Sequence, residues 1–493
     1  MKIRWIRLLA ALLTGCLLFS SCSLQERSNI NISVSESGGF AEDWEFGFGA
    51  QRIIAPSHAD GKGLYISGYH TGWYATQYLD LNKLDVYQEM YGERTEENPD
   101  YAQARAVWMD AGSGGMLLIG IDCIALSSET VGEIRERLKE LCSEHHCLSI
   151  NIYATHVHAQ PDTLGLWGPV GMDGKNEEYM KALVKAAVEA AEEAVGNIRQ
   201  GELRYGKVKT ENMLYDSRYP HIYDDELHQL RFVPEEGNGV RIFLYGAHAE
   251  ALRGENRMLS RDFPGVLCDV MEYKTGDSTM FLPGAIGGLI MTDELPGILA
   301  AAENMEKTGI LLADYAMSIL PETEQVVSPM LKMGRGEFTI PLDNGAFLLY
   351  KTLGILGAQA VRTKSETGYG IRTEMNVLKL GDLAVALLPG EIFPELVYGG
   401  EYGSAGDGEN PIPLCETAEK YGYAKLLIAG LANDEIGYIV PPSDFLLNEV
   451  QPYFDTTMDS VGENHYEETN SVGKDCAWVI TYAFEEILKA MAK

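Results

Sequence analysis

Long apolar runs alternate with amphipathic ones along most of this chain. Residues 114–126, GGMLLIGIDCIAL, are apolar up to Asp122, which predicts a strand buried on both faces. Residues 128–142, SETVGEIRERLKELC, repeat their apolar positions at helical spacing. A second strand is predicted in LSINIYATH at 148–156, and after a Gly-rich loop a long helix over 177–195, EEYMKALVKAAVEAAEEAV. Later strands are predicted in LHQLRFV, VRIFLYGAHA, NVLKLGDLAVALLPGE and KLLIAGLA, each with polar residues at its end. Strand, helix, strand, helix predicts an α/β fold, central β-sheets flanked by helices. Neither a repeat nor a low-complexity linker divides the body, so one large catalytic domain is expected despite the length of 493 residues.

Composition changes this picture at the N-terminus and at the surface. Lys2, Arg4 and Arg7 precede an apolar run and small residues before a cysteine, the pattern of an export signal. Cys16 in LTGC and Cys22 in FSSC are both candidates for lipid attachment, and Cys22 leaves the better hydrophobic length. The expected organisation is a lipoprotein signal peptide at 1–22, a polar, flexible tether at 23–43, and the folded body at 44–493. This implies an exported protein, at the cell surface or in the periplasm, anchored to a bacterial membrane. A net charge of −33 would repel phosphate backbones, so no nucleic-acid partner is expected. In an exported protein Cys142 and Cys147 could pair or remain two thiols, and CSEHHC between them could instead hold a metal.

The chemistry concentrates where predicted strands run out. His156 and His158 in YATHVHAQP are two residues apart, so on an extended strand both imidazoles would face one cleft. Such a pair can supply two zinc ligands, or one ligand and one acid-base group; the alternative is two hydrogen-bonded structural histidines. His248 repeats the setting in RIFLYGAHAEAL, and Glu391 follows a Pro-Gly turn in ALLPGEIF. Either could be a further ligand from another strand end, or a structural histidine and a helix N-terminal acid.

Six segments, ATHVHAQP, SRYPHIY, GAHA, LPGE, GYIVPP and HYEETNSVG, stand in the order and rough spacing of neutral/alkaline ceramidase motifs. The chain resembles that family's catalytic domain from about Phe46, where FGFGAQRIIAP is similar to its opening strand, to near its end. The resemblance implies a zinc ion held by His156, His248, Glu391 and Tyr438, with His158 beside the activated water and Arg218 and Tyr466 facing the substrate. It implies hydrolysis of the N-acyl amide bond of ceramide or a related lipid-like amide, hence a role in sphingolipid or other lipid metabolism. Asp122 matches an acidic family position and is assigned a structural role, capping the next helix.

The chain also departs from the family pattern. Gly284 stands where ceramidases carry a serine regarded as a nucleophile, and Gly288 replaces an aspartate. Residues 451–460, QPYFDTTMDS, lengthen the gap between Tyr438 and Tyr466 and predict a remodelled substrate mouth. With the chain ending at Lys493, the immunoglobulin-like C-terminal domain of true ceramidases is not expected. A metal-activated water can attack an amide without a serine, which favours a zinc hydrolase. The competing readings are an inactive lipid- or glycan-binding lipoprotein on the same fold, or a zinc hydrolase of a non-lipid amide or ester.

Overall fold

A strand that is apolar on both faces needs cover on both, and in this chain the cover comes from a second sheet on one side and helices on the other. The computed structural model describes residues 30–38, 41–288, 290–292, 300–400, 409–423, 425–460 and 462–493. Its principal strands, in chain order, are β1 (Asn31–Gly38), β2 (Trp44–Arg52), β3 (Gln103–Asp110), β4 (Gly115–Ile121), β5 (Ser149–Ala154), β6 (Arg199–Lys209) and β7 (Glu226–Pro234). They continue with β8 (Val240–Tyr245), β9 (Ser278–Pro283), β10 (Met330–Leu342), β11 (Tyr369–Leu380), β12 (Leu383–Leu387) and β13 (Lys425–Ala429).

Among the described residues the larger sheet runs β9-β8-β7-β6-β2-β3-β4-β5, and the smaller runs β1-β10-β11-β12-β13. Trp44, Phe46, Leu118 and Phe232 of the first interleave with Leu331, Leu378, Val385 and Leu427 of the second. Within this layer Phe46 stacks on Phe232 with centroids 4.6 Å apart. The outer face of the larger sheet carries the helix Glu177–Gly196 through Leu183, Ala187, Ala190 and Ala194. The FGFGA stretch shows how closely that helix sits. A Cβ on Gly47 would lie 1.8 Å from the Ala194 carbonyl oxygen, and one on Gly49 would lie 2.1 Å from that of Ala190. The helices Asp262–Thr275 and Ala301–Met317 cover the rest of that face, and Cys476–Met491 covers the smaller sheet.

Two sequence expectations change. Asn31–Gly38, read as part of a flexible tether, forms β1 and pairs antiparallel with β10 from Asn31↔Glu337 to Gly38↔Met330. Its Ser-rich, polar pattern suits a sheet edge, where few apolar contacts are required. The single helix expected over 128–142 divides into Ser128–Arg137 and Lys139–Glu144 at Leu138, and Ser127 caps the first of them. Cys142 and Cys147 are thiols, the latter donating to the Ser149 carbonyl at 3.1 Å. The signal-peptide and lipid-anchor assignments fall on residues 1–22, outside the described residues.

What positions the site is the pairing of β4 with β5, β8 with β9 and β12 with β13, all parallel. Their C-terminal ends meet where the two sheets converge and are cross-linked by backbone hydrogen bonds. Ala154 N donates to Leu431 O at 3.1 Å, Gly430 N to Pro283 O at 3.0 Å, and Leu388 N to Ala429 O at 2.9 Å. Val157 bridges Ala249, and Tyr153 bridges Ala432. Carboxyl ends of parallel strands leave polar backbone facing a crevice, the usual place for a site in α/β proteins.

Candidate metal centre

His156 does not reach the crevice by strand alternation, because β5 ends at Ala154. Instead His156 takes a left-handed backbone, φ 61°, which non-glycine residues rarely adopt and which clusters at functional sites. The turn is held by Asp122, whose carboxylate accepts from the Thr155 hydroxyl at 3.1 Å and from the Gln103 amide at 3.0 Å. Asp122 is therefore structural through this turn, not through a helix cap. His158 follows, its amide donating to Ala249 O at 3.1 Å. His248 stands past β8, Glu391 past β12, and Tyr438 past β13.

The three imidazoles converge, with ring centroids 4.8 Å apart for His156 and His158 and 4.8 Å for His156 and His248. His156 Nδ1 lies 2.8 Å from Ile124 O, and His248 Nδ1 lies 2.9 Å from Ile290 O. An Nδ1–H donated to a carbonyl leaves Nε2 as a lone pair, the tautomer that ligates metals. Those two Nε2 atoms face one carboxylate oxygen, Glu391 Oε2, at 3.4 Å from His156 and 2.9 Å from His248. With both Nε2 atoms unprotonated, three acceptors would be turned on one another, an arrangement that a bound cation would satisfy. Atoms sharing one tetrahedral zinc at its usual ligand distances stand roughly 3.3 Å apart, so the donor set fits that ion. Glu391 pairs with Tyr438 across a two-residue parallel ladder, and the Tyr438 hydroxyl lies 3.0 Å from that of Tyr466.

Charge state follows this geometry. Burial, together with His156 and His248 beside it, pushes His158 well below the usual histidine value. Burial works in the same direction on His248, but its hydrogen bond and charge contact with Glu391 overcome it, and the net shift is upward. Burial raises the Glu391 carboxyl while the two histidines lower it by more, so it is held below the ordinary carboxylate range. Tyr438 is pushed up by burial and then by the Glu391 charge.

Arg218 is enclosed in a buried ion network. It is 1% exposed, with NH2 2.5 Å from Asp444 Oδ2 and 3.3 Å from Glu468 Oε1, and NH1 2.8 Å from Glu467 Oε2. Its guanidinium lies over Phe393, 5.5 Å from the ring centroid. These contacts place it behind Tyr466, whose neighbours Glu467 and Glu468 it holds. Gly284 follows β9, where a Cβ would stand 3.1 Å from Gly246 Cα, and Gly288 has φ 75° beside Phe393 and Arg218. The left-handed backbone favours glycine at Gly288.

Two features were not anticipated from sequence. Glu250 repeats the His-x-His spacing as His-x-Glu, and its Oε2 lies 3.5 Å from His158 Nδ1 while accepting from the Tyr69 hydroxyl. Asp224, Glu226 and His228 form another group with metal-ligating atom types. There, however, Glu226 is met by Lys207 at 2.6 Å and Lys425 at 3.4 Å, and His228 bonds Asp224 at 2.9 Å, so the charges are already paired.

No protein-family model matches the sequence, and no functionally curated protein matches it. Two solved structures share the architecture. Neutral ceramidase from Pseudomonas aeruginosa aligns with a TM-score of 0.66 at 16% identity, over 91% of this chain and 74% of that one. A ceramidase complexed with C2 aligns with a TM-score of 0.65 at 16% identity, over 91% of this chain and 75% of that one. The fold is that of neutral ceramidase.

Proposed function

We propose that this chain is a zinc-dependent amidohydrolase of neutral ceramidase type that hydrolyses the N-acyl bond of ceramide or a related lipid-like amide. The observation that carries the reading is the convergence of His156 Nε2, His248 Nε2 and Glu391 on one point, with both Nδ1 atoms tied to backbone. His156, His248, Glu391 and Tyr438 would hold the ion, which when bound lowers the pKa of a water towards neutrality and polarises the amide carbonyl. The Nδ1–H of His158 directed at Glu250 leaves Nε2 to take a proton from the water and return it to the leaving nitrogen. Tyr466 shares a hydrogen bond with Tyr438 and orients it, while Arg218 acts as a positioning residue for the Tyr466 turn. The fold shared with two ceramidase structures supports the reading.

The test is metal content with hydrolysis of N-acyl substrates, each with and without chelator. One zinc per chain is expected, lost in His156→Ala and His248→Ala. His158→Ala should keep zinc and lose about 10²-fold or more in kcat. Gly284 and Gly288 favour a second reading, a binding protein on the same scaffold, since the family serine and aspartate are absent. Zinc in place with no hydrolysis of any N-acyl amide would select that reading. For location, we propose that Cys22 carries a lipid and the body reaches amphiphiles at the membrane surface; mass spectrometry showing a mature N-terminus at Cys16 or an unmodified amine would reject it.

A further inference from the structure

Beside His158 opens a pocket bounded by Ser67, Tyr69, Trp73, Glu250, Leu252 and Arg253, with about 280 Å³ of empty volume. Its wall is aromatic on one side, where Tyr69 packs edge-on to His158 at 5.3 Å and Trp73 lies 4.0 Å from His70, ring to ring. On the other side stands Glu250, a carboxylate only 3% exposed. Several polar groups around it are already engaged. Asp262 takes the Ala251, Leu252 and Phe263 amides, and the Ser67 hydroxyl donates to Gln160 O at 2.8 Å. Glu250 Oε2 accepts from Tyr69, but Glu250 Oε1 is buried with no hydrogen-bond partner. A buried carboxylate oxygen left without a donor is destabilising, and one facing a pocket beside a reaction centre points to a donor that arrives with the ligand.

We propose that Glu250 is the specificity-determining residue of this site, accepting a hydrogen bond from an O–H or N–H on the amine side of the substrate, so that the released amine carries a polar group there. This rests on the hydrolytic reading above. Hydrolysis breaks the C–N bond, places the water oxygen on the acyl carbon and a proton on the leaving nitrogen. The group that delivers that proton is His158, so the amine side lies on the His158 flank, where this pocket is. The lining is polar at Ser67, His70, Glu250 and Arg253, which suits the polar end of an amine rather than a hydrocarbon chain. An alkyl chain there would also bury Glu250 against hydrocarbon with nothing to offer its free oxygen. A hydroxyl or an ammonium satisfies it, and the ring of Tyr69 suits the cation further.

The experiment compares zinc-loaded protein on four amides sharing one acyl chain, made from ethanolamine, ethylenediamine, propylamine and sphingosine. The first, second and fourth present a hydroxyl or an ammonium two carbons from the amide nitrogen, the third neither, and the fourth adds a long chain. Expected is a kcat/KM for the donor-bearing amides about 10²-fold or more above propylamide. Glu250→Gln should keep the hydroxyl preference and lower the ammonium one, whereas Glu250→Leu should bring all ratios near unity. Ratios are read because either change also disturbs His158. Calorimetric titration of free ethanolamine and ethylenediamine gives a readout without turnover: binding is expected, and lost in Glu250→Leu. Hydrolysis without discrimination, a preference for propylamide, ratios unchanged in Glu250→Leu, or no amine binding would each overturn the inference. If no amide is cleaved yet the amines bind through Glu250, the hydrolytic reading falls and the pocket assignment stands.

Discussion

His158 is placed by a residue that has no side chain. A Cβ on Gly68 would sit 2.7 Å from His158 Cβ and 2.8 Å from its Nδ1, and Gly68 holds φ 100°, so both space and backbone require glycine. Gly68→Ala is expected to push the imidazole off Glu250 while leaving His156, His248 and Glu391 in place. Displacements near 1 Å at a reacting group cost roughly 10²-fold. The measurement is kcat beside zinc stoichiometry: lost rate with full zinc is expected, and lost zinc would mean that Gly68 supports the ligands instead. The histidine spacing and the strand-end settings of His248 and Glu391 were legible in sequence because each follows an apolar run. Glu250 and Gly68 were not, since their meaning depends on a contact between segments far apart along the chain.

At the scale of elements, the turn carrying Tyr466 is bound to the body by one buried cation. Arg218 follows the short strand Leu214–Asp216, and its partners lie in Pro442–Asp444 and Glu467–Asn470, with His465 Nδ1 2.9 Å from its NH2. Removing one member of a buried ion network leaves the others uncompensated, a loss of ~3–5 kcal/mol. Arg218→Met is therefore expected to destabilise by about that amount in urea unfolding. A group contacting substrate would instead change KM at unaltered stability. Sequence reading put Arg218 on the substrate side because SRYP matched a motif, and the acidic residues that enclose it are too distant in sequence for a pattern to reveal. The strands themselves were legible for the opposite reason: continuous burial demands continuous apolar sequence, as in Gly115–Ile121. β1 lacks that signal because it lies at the edge of its sheet.

Over the whole molecule, two sheets and their loops close on a seam rich in buried carboxylates, and this gives the protein a pH-dependent stability. Burial, then the charges of Asp216 and Asp444, push the Glu395 carboxyl up to about 8. Burial also raises Glu467 to about 7, despite Arg218, and Asp216 to about 6. Groups whose folded values lie above their unfolded ones hold protons in the native state that the unfolded chain releases. Their stabilisation is complete below the unfolded values near ~4 and is lost as pH rises through the folded values. The melting temperature, measured by calorimetry at fixed zinc, is thus expected to fall between pH 5 and 8. Glu395→Gln replaces the protonated carboxyl with a neutral isostere and should flatten that slope, raising the melting temperature at pH 8 more than at pH 5. A slope unchanged in Glu395→Gln would show that the native state ionises this carboxyl at no penalty, and that the seam is hydrated there.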